Sequence, residues 1–455
     1  MTSDIIVIGG GASGLMAAVG ASQAFFDAGH RGSVTVLEKM PRPARKIMIT
    51  GKGRCNFTNV KPWNAFSEHI RSKADFVKPA MYNLTPEGMM DFFDKNGMRS
   101  VVERGDRAYP ASYSSMDVVD TLVRAVNRYD ARIYTNRDVA AITFSNDKFT
   151  VKCSDGESYE AIKLIVATGG LSYPDTGSTG DGYEWAEQFG HTLKPCFPSL
   201  TALVPKGYKM NNFSSKGDGL KGHIDRSVHL SAFGDSLCGI SLKNVGVTLF
   251  IDGTESRNEF GDLDFTDGGI EGPIGFAISR NAVKSLLNGG KVSLTIDLKP
   301  AVRSEQLTDR IRDLWGLVLN DPRSQGMYFR DRYKVLLGKL MPRHLISPFL
   351  KMNPNLLDVD QPKGQEIDIK LLVSSLKKWV FPIEGYVGYE RSVVTAGGIS
   401  TDEIVAKTME SKLRKGLYFC GEVIDIDSDT GGYNLQTAFS TGFLAGMSAA
   451  KAVLG

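Results

Sequence analysis

The sequence DIIVIGGGASG, residues 4–14, is the segment from which the fold of this chain follows. Its apolar run IIVI predicts a strand that is buried on both faces. Gly9, Gly11 and Gly14 then complete a Gly-x-Gly-x-x-Gly pattern, and a helix is predicted over 13–28. Glycines at this spacing allow a sharp turn, the approach of a pyrophosphate to bare backbone, and close packing of the helix on the strand.

A second short strand is predicted over 33–37, and it ends at an acidic residue, Glu38. A carboxylate at this place can accept both hydroxyls of a ribose. Glu38 lies 24 residues beyond Gly14, close to the usual offset, and the excess falls in the loop at 29–32. Strand, glycines, helix, strand and acid in this order predict a dinucleotide-binding unit.

The composition is that of an ordinary globular protein with two or three domains: 455 residues, 42% hydrophobic and 23% charged. A net charge of +3 is too small to argue for a nucleic-acid partner. The cysteines are scattered and odd in number, which favours free thiols in a reducing compartment and argues against a disulfide framework or a zinc site; they are Cys55, Cys153, Cys196, Cys238 and Cys420. The apolar N-terminus has no basic leader and is interrupted by glycines, so we expect neither a signal peptide nor a membrane helix, and we expect a cytoplasmic location.

Residues 39–59 form a basic loop with open glycines, which suits a second phosphate and the polar edge of a ring system. A solvated basic turn is the alternative interpretation. Helices are predicted over 61–100 and in an amphipathic segment capped by Asp117. Residues 131–168 follow the period-two pattern of strands, and the last strand again runs into glycines.

The character of the chain changes in its middle. Residues 199–300 contain short alternating strands and many turn glycines, which predict a β-barrel-like insert. Residues 302–378 have helical spacing and predict a small helical cap within that insert. Strand-like sequence resumes at 385–394.

The chain then returns to nucleotide-binding patterns. A strand over 416–420 ends at Gly421-Glu422, and the sequence TGGYN, residues 430–434, opens a long apolar helix over 435–453. Two such elements at opposite ends of the chain suggest FAD more than NAD, because one unit holds the adenosine and pyrophosphate and the other reaches the ribityl chain and flavin ring. Donors at the second helix start would hold the negative charge of the reduced flavin at N1 and C2=O. A Gly-Gly turn without a ligand is the alternative.

Four segments carry a resemblance to a known family: KIMITGKGRCNFTN (46–59), ATGGLSYPDTGSTGDG (167–182), VTAGGIS (394–400) and LYFCGEVIDIDSDTGGYNLQTAFSTGFLAG (417–446). They resemble the YhiN/BaiN-like family of FAD-dependent oxidoreductases, which includes aminoacetone oxidase. The resemblance implies an α/β fold, in which a Rossmann-like FAD domain of glutathione-reductase type is interrupted by a β-barrel domain that carries a helical insert. The expected boundaries are 1–195 and 386–455 for the FAD domain, 196–301 and 379–385 for the barrel, and 302–378 for the helical insert.

The resemblance also implies which residues contact FAD. The pyrophosphate is expected at Gly9, Gly11, Ala12 and Gly14, and the adenosine ribose at Glu38, next to Lys39. The adenine is expected at Val139. The central channel is expected at Lys46, Thr50, Gly51, Arg54 and Asn56. The residues expected to pass beside the cofactor are Thr168, Gly169 and Gly170. The ribityl chain and pyrimidine edge are expected at Gly421, Glu422, Asn434, Leu435 and Gln436. Ser428 departs from the family pattern, since many relatives have glycine there, and this leaves the detail of that turn open.

Two functions are compatible with this cofactor. The first is a two-electron oxidation of a small amine or similar compound, with the flavin reoxidised by oxygen or another acceptor; it is favoured because the chain has no second strand–Gly-x-Gly-x-x-Gly–helix unit for NAD(P)H. The second is reduction of an enone, quinone or steroid-like substrate with NAD(P)H as transient electron donor. A flavoprotein that binds RNA is a third hypothesis, but the near-neutral charge and the lack of an aromatic–basic tract argue against it.

The sequence identifies no catalytic residue, because a flavin enzyme often needs only a well-placed hydride donor. Tyr433 and Asn434 are candidates for groups beside the ring, and Arg107 and Tyr109 for the substrate side. A lone Cys55 without a second thiol is a candidate for packing more than for redox chemistry. The histidines show no metal-ligand spacing, so no metal is expected. We expect a small-molecule substrate, no nucleic acid and no membrane partner; the sequence does not indicate the oligomeric state.

Overall fold

The computed structural model describes residues 1–210, 221–225, 227–357 and 366–455. The chain divides into two compact units. The first unit is Met1–Ser199 together with Ser392–Gly455, and the second is Leu200–Arg391. The three-domain boundaries expected above stay a prediction.

The N-terminal part of the first unit alternates strands and helices. Its strands are β1 (Thr2–Ile8), β2 (Val34–Leu37), β3 (Thr58–Asn59), β4 (Ser100–Glu103), β5 (Arg107–Pro110), β6 (Arg132–Tyr134), β7 (Val139–Ser145), β8 (Lys148–Cys153), β9 (Ser158–Val166) and β10 (Leu193–Ser199). Its helices are α1 (Ala12–Asp27), α2 (Arg45–Ile49), α3 (Trp63–Ser67), α4 (Ala74–Asn83), α5 (Pro86–Lys95), α6 (Ser115–Arg128) and α7 (Asp181–Gln188).

The second unit contains a closed antiparallel barrel and a group of helices. The strands are β11 (Leu203–Pro205), β12 (His223–Ile224), β13 (Ser241–Ile251), β14 (Thr254–Thr266), β15 (Gly269–Glu271), β16 (Val292–Asp297) and β17 (Trp379–Val387). The helices are α8 (Ala232–Leu237), α9 (Gly272–Leu287), α10 (Ser304–Asn320), α11 (Phe329–Leu340), α12 (Arg343–Met352) and α13 (Ile369–Lys377). The barrel order is β11-β15-β14-β13-β16-β17, and it closes because β11 also pairs with β17.

The alternation of residues explains this barrel. Along β16, every second side chain is buried, as expected of a strand with one face toward a core. The core is aromatic: the ring of Trp379 lies 4.6 Å from that of Phe381 and 5.5 Å from that of Phe349 on α12, measured between centroids. Helix α12 of the inserted group thus packs on the barrel strand β17.

The chain then re-enters the first unit with β18 (Val394–Ile399), β19 (Leu417–Phe419) and the long helix α14 (Tyr433–Leu454). The main sheet has the order β6-β2-β1-β9-β8-β7, and β19 pairs with the C-terminal part of β9. The strands β6, β2, β1, β9 and β19 are parallel, whereas β7 and β8 form an antiparallel meander at the edge. β1 is buried on both faces, as predicted.

Helices α1 and α14 pack directly on each other through small residues. A Cβ atom on Gly446 would overlap the carbonyl oxygen of Ala17, and a Cβ atom on Gly442 would overlap the carbonyl oxygen of Ser13. Gly20 on α1 meets the backbone of Phe443 in the same way. These glycines therefore allow α14 to pack closely on α1. Within the described ranges, no helix combines the length and apolarity needed to cross a bilayer.

Two local predictions were wrong. Residues 199–300 are not all strand, because GPIGFAISRNAVKSLL forms the 16-residue helix α9, whose start has a proline in the first turn. Asp117 does not cap α6: the helix begins at Ser115, and Asp117 lies in its first turn, where it accepts a hydrogen bond from Ser112 (2.5 Å).

Candidate functional site

The carboxyl ends of four parallel strands meet at one edge of the main sheet. In the strand register Ile8 is level with Leu37 on one side and with Val166 on the other, and Val166 is level with Phe419. The chain segments that leave these strands lie next to each other, and in an open α/β sheet this edge is where ligands bind. They line one cavity of the first unit.

The loop after β1 has the geometry that its glycines predicted. Gly9 adopts a left-handed conformation (φ +100°) that glycine allows without strain. A Cβ atom on Gly14 would overlap the carbonyl oxygen of Gly9, so this glycine lets α1 begin close to the strand. Gly11 is different, because a Cβ atom there would meet no heavy atom within 4 Å, and the residue lines the cavity. Among the described residues no side chain caps α1, and its first turn contains no acid, so its N–H groups are available to an anion.

Glu38 lies at the end of β2 and is 8% exposed. Its Oε2 accepts a hydrogen bond from the Gly10 N–H (2.7 Å) and its Oε1 accepts one from the Met40 N–H (2.8 Å). Burial raises the pKa of this carboxyl, and the two backbone hydrogen bonds together with Lys39 and Arg45 act in the opposite direction. Glu38 lines the cavity, and each oxygen can accept a further hydrogen bond, which suits the hydroxyls of a ribose.

Most of the predicted cofactor residues line this cavity: Gly9, Gly11, Ala12, Glu38, Lys39, Lys46, Thr50, Val139, Thr168, Gly169, Gly421, Glu422, Asn434 and Leu435. They come from both ends of the chain and from its middle. The geometry therefore brings the two nucleotide-binding patterns of the sequence into one site.

An ion pair joins the N-terminal and C-terminal parts of the cavity wall. Lys46 Nζ donates to Glu422 Oε2 and to Ser172 Oγ, both at 2.7 Å, and Ser172 Oγ donates to Glu422 Oε1 at 2.6 Å. The Thr395 N–H donates to the same Oε1 at 2.8 Å. Burial alone would raise the pKa of Glu422, but the charge and hydrogen bond of Lys46, with those from Ser172 and Thr395, lower it below its ordinary value. Glu422 is therefore a carboxylate in the wall of the cavity.

The start of α14 forms the other end of the site. Gly431 and Gly432 have φ angles of +117° and +93°, and the first turn of the helix contains no acidic residue. The Asn434 side chain holds the preceding turn: Oδ1 accepts from the Ser428 N–H (2.9 Å) and Nδ2 donates to the carbonyls of Ser428 (2.9 Å) and Asp429 (3.0 Å). Ser428 is absent from the described residues with positive φ, so this turn accommodates serine in place of glycine without backbone strain.

Six predicted residues do not line the cavity in the described structure: Gly14, Gly51, Arg54, Asn56, Gly170 and Gln436. Gly14 and Gly170 are packing positions, since a Cβ atom on the latter would overlap the Thr395 side chain. Gly51 has a φ of +56° and shapes the short turn after α2.

The other three side chains hold neighbouring segments. Arg54 pairs with Glu103 (2.8 Å) and lies over the rings of Tyr109 and Tyr113, 4.7 and 4.4 Å from their centroids. Asn56 Nδ2 donates to two backbone carbonyls. Gln436 is fully buried, and its Nε2 donates to the Leu84 carbonyl (3.0 Å). A direct contact with a cofactor stays a prediction for these residues, and the structure gives them positioning roles.

The sequence analysis missed part of the lining. The missed residues include Arg45, Arg137, Asp138, Thr176, Gly177, Ser178, Asp181, Trp185, Val394, Ile426 and Thr437. The segment 167–182 was already singled out as a motif, and Asp181 ends up paired with Lys39 at 2.7 Å. Thr437 lies within segment 417–446, which was also singled out, whereas Arg137 has no local signal, because only the packing of its element brings it to the site.

Buried hydroxyls provide a test of the cofactor that the site can hold. The hydroxyls of Thr168 and Thr437 line the cavity and are buried, and they have no hydrogen-bond partner among the described residues. A buried polar group without a partner is costly, and a ligand rich in oxygen would supply one. With bare backbone at Gly11, the carboxylate of Glu38 and the cation of Lys46, this donor set fits an extended dinucleotide such as FAD.

Of the remaining candidates, Asn434 lines the cavity, whereas the residues that do not line it are Tyr433, Arg107, Tyr109 and Cys55. The Tyr433 ring is buried and stacks on that of His69 (4.2 Å between centroids), and it is Asn434 that lines the cavity. Cys55 is fully buried and burial raises its pKa to about 12, so the structure gives no support for a reactive thiol there. All five cysteines are free.

Known proteins resemble this chain over nearly its whole length. A model of the HI0933-like protein Rossmann domain matches residues 3–448. The chain is 29% identical over 446 residues to the 3-dehydro-bile acid delta(4,6)-reductase of Clostridium scindens, covering 98% of both proteins. It is 30% identical over 440 residues to the ribosomal RNA dihydrouridine synthase of Escherichia coli, covering 96% of both. Among solved structures, a flavocytochrome c3 fumarate reductase matches with a TM-score of 0.48 and 16% identity, covering 100% of this chain and 79% of the other.

Proposed function

The chain belongs to the HI0933-like family, and from this membership we propose that it is an FAD-dependent reductase of carbon–carbon double bonds conjugated to a carbonyl group. The protein is a flavin-type oxidoreductase. We propose three things beyond this class: the flavin is FAD, the reaction is a reduction, and the substrate contains a carbon–carbon double bond conjugated to a carbonyl group.

The observation that carries the proposal is one cavity whose lining includes the Gly9 loop, Glu38, Glu422 and the start of α14. FAD is long, with an anionic pyrophosphate between the adenosine ribose on one side and the ribityl chain and flavin ring on the other. Bare backbone at Gly11 suits the pyrophosphate and Glu38 suits the ribose. Lys46, held by Glu422, provides a cation along the wall between them.

The residues of the chain prepare this site for a flavin at the α14 end. Asn434 fixes the turn before the helix through its three hydrogen bonds, so the helix start does not need to rearrange when a ligand binds. The free N–H groups of that start favour negative charge on whatever lies against them. When bound, FAD supplies a two-electron hydride transfer, which the protein groups orient.

The two named relatives favour reduction over amine oxidation. Their substrates have a common chemical feature, since a 3-oxo-4,6-diene steroid and a uracil ring both contain a C=C bond conjugated to a carbonyl. Reduction of such a bond adds a hydride to the β-carbon and a proton to the α-carbon. The electrons would come from a reduced nicotinamide, as in the second of the two functions expected from the sequence.

Anaerobic spectroscopy of the purified protein tests this proposal. We expect a yellow protein whose flavin bleaches with NADH or NADPH and not with a panel of small amines. The reduced protein should then be reoxidised by a 3-oxo-4-ene steroid or by a uridine-containing ribosomal RNA fragment, and the product should be two hydrogens heavier by mass spectrometry. Bleaching by an amine with formation of hydrogen peroxide, and none by a nicotinamide, would contradict the proposal and favour the oxidase.

The same experiment separates the two substrate types. Reoxidation by the steroid alone indicates a small-molecule substrate, as the sequence analysis expects. Reoxidation by the RNA alone would overturn the expectation that no nucleic acid is bound. A protein that stays colourless after incubation with FAD would refute the cofactor assignment itself.

A further inference from the structure

Residues 174–181, here called the strap, lead from the loop after β9 into helix α7. The strap begins with a short 3-10 turn, Pro174–Thr176, and ends at the first residue of the helix. Half of its residues line the cavity: Thr176, Gly177, Ser178 and Asp181. The strap is therefore part of the wall around the proposed cofactor site.

The strap contacts the loops that follow two different strands. A Cβ atom on Gly177 would lie 2.9 Å from Met40 Cγ, in the loop after β2. Ser178 is buried, and its Oγ lies 2.9 Å from the position that a Cβ atom would take on Gly169, in the loop after β9. Because β1 lies between β2 and β9 in the sheet, the strap spans the carboxyl end of β1. The Gly9 loop leaves β1 at this place and lines the same cavity, so a dinucleotide on that loop would lie next to the strap.

One lysine connects the strap to the loop after β2. Lys39 Nζ donates to Asp181 Oδ2 at 2.7 Å and to the Thr179 hydroxyl, which itself donates to Asp181 Oδ1 at 2.8 Å. In the described structure no other hydrogen bond joins residues 174–181 to that loop. The side chains of Lys39 and Asp181 are 20% and 33% exposed, so this ion pair is partly shielded from water.

The same loop holds the carboxylate proposed for the adenosine ribose. Lys39 follows Glu38 directly, and Glu38 Oε1 accepts a hydrogen bond from the Met40 N–H (2.8 Å). The side chain of Met40 is the one that Gly177 contacts. The ion pair and the contact with the strap therefore both lie at the adenosine end of the cavity.

Two glycines allow the middle of the strap to move. Gly177 and Gly180 have φ angles of +109° and +90°, a region that other residues rarely adopt, and only Ser178 and Thr179 lie between them. Rotation about these two glycines moves Thr179 away from Lys39 and leaves α7 in place. The hydrogen bonds of Lys39 oppose this movement.

We propose that the strap closes the cavity over the adenosine end of a bound dinucleotide, and that the ion pair of Lys39 with Asp181 is its latch. The latch must open before a dinucleotide can enter or leave. The inference rests on the FAD assignment of the proposed function. It gives Lys39 and Asp181 a positioning role, since they act on the strap and take no part in the hydride transfer.

The test is a double-mutant cycle with Lys39→Met, Asp181→Asn and both changes together. Arg42→Met and Glu184→Gln are matched controls, because each removes an exposed charge three residues from one latch residue and neither residue lines the cavity. FAD release is followed by the rise of flavin fluorescence after dilution, and FAD entry by its change on mixing with apo-protein. Hydrogen exchange of the strap is measured by mass spectrometry on the apo- and FAD-loaded forms of the same proteins.

We expect each single variant to release FAD about 3- to 10-fold faster than the wild type, as suits a partly shielded ion pair. The double variant should release FAD no faster than the single variants, because either change alone already opens the latch. Entry should become faster as well, so the affinity for FAD should change less than the release rate. Hydrogen exchange of residues 174–181 should be faster in all three latch variants, and both controls should behave as the wild type.

Three results would overturn the latch. The first is release at the wild-type rate in every latch variant. The second is a double variant in which the two effects multiply, and the third is faster release with unchanged entry. Either of these two would mean that Lys39 and Asp181 bind FAD directly. Failure of the proposed function gives a different pattern, because the wild type would then bind no FAD while hydrogen exchange of the strap still depended on the ion pair.

Discussion

Two glycines of the same motif, Gly11 before α1 and Gly14 in its first turn, should respond in opposite ways to replacement by alanine. Gly11 has φ −78° and ψ −168°, which alanine also adopts, and a Cβ atom there meets nothing within 4 Å. Gly11→Ala should therefore change the free energy of unfolding by less than about 0.5 kcal/mol. Its methyl group, however, extends into the cavity where a pyrophosphate must approach the backbone.

The size of the effect on FAD follows from the contacts that this methyl group prevents. Displacing a phosphate oxygen from backbone N–H groups removes at least one charge-assisted hydrogen bond, of about 2 to 3 kcal/mol. This corresponds to a roughly 30- to 150-fold weaker affinity for FAD. Gly14→Ala, in contrast, forces its Cβ atom onto the Gly9 carbonyl oxygen, and relieving that overlap by moving α1 should cost about 3 kcal/mol of stability.

The assay is titration of the apo-proteins with FAD, followed by flavin fluorescence, together with urea unfolding of the same proteins. Gly316→Ala serves as the control, since Gly316 also has open space around its Cβ position but lies within α10 and does not line the cavity. A folded Gly11→Ala variant that binds FAD as tightly as the control would refute the assignment of this loop to the pyrophosphate. A Gly14→Ala variant as stable as the wild type would refute the packing argument.

Two further predictions concern titratable groups. Lys46→Met removes the partner that lowers the pKa of Glu422, so the free energy of unfolding at pH 7 should fall by about 1 to 2 kcal/mol. A lowered carboxyl pKa stabilises the fold in full only above the pKa of the unfolded chain, so in urea titrations the difference from wild type should shrink as the pH falls below about 4.5. A difference that does not depend on pH would contradict this prediction. Burial raises the pKa of both Cys55 and Cys420 to about 12, so thiol reagents at pH 8 should leave these two cysteines unmodified in the native protein. After unfolding, the same reagents should modify all five cysteines, as mapped by mass spectrometry. Rapid labelling of Cys55 in the native protein would show that its thiol is accessible.

Local sequence patterns predicted the helices and strands that are specified by residues close together in the chain. β1 and α1 fall within one to three residues of their predicted bounds, because the glycines between them and the apolar run before them act within a few residues. Helix α9 was missed because its sequence lies among turn glycines and strands, where a weak apolar periodicity competes with the period-two pattern around it. The cap of α6 was misplaced for a similar reason, since Ser114 and Asp117 are both typical of a helix start.

The sequence by itself determined that the N-terminal part of this chain forms a Rossmann-type fold, because a buried strand, the glycines at 9 and 14 and the acid Glu38 follow one another at a characteristic spacing. Only the tertiary structure decided which side chains meet. The pairing of Lys46 with Glu422 and the placement of Arg107 beside Gly431 join residues that are more than 300 positions apart. No local sequence pattern predicts such contacts. They form when β3, β5 and α14 pack together, and because both ends of the chain belong to one unit despite the long insert.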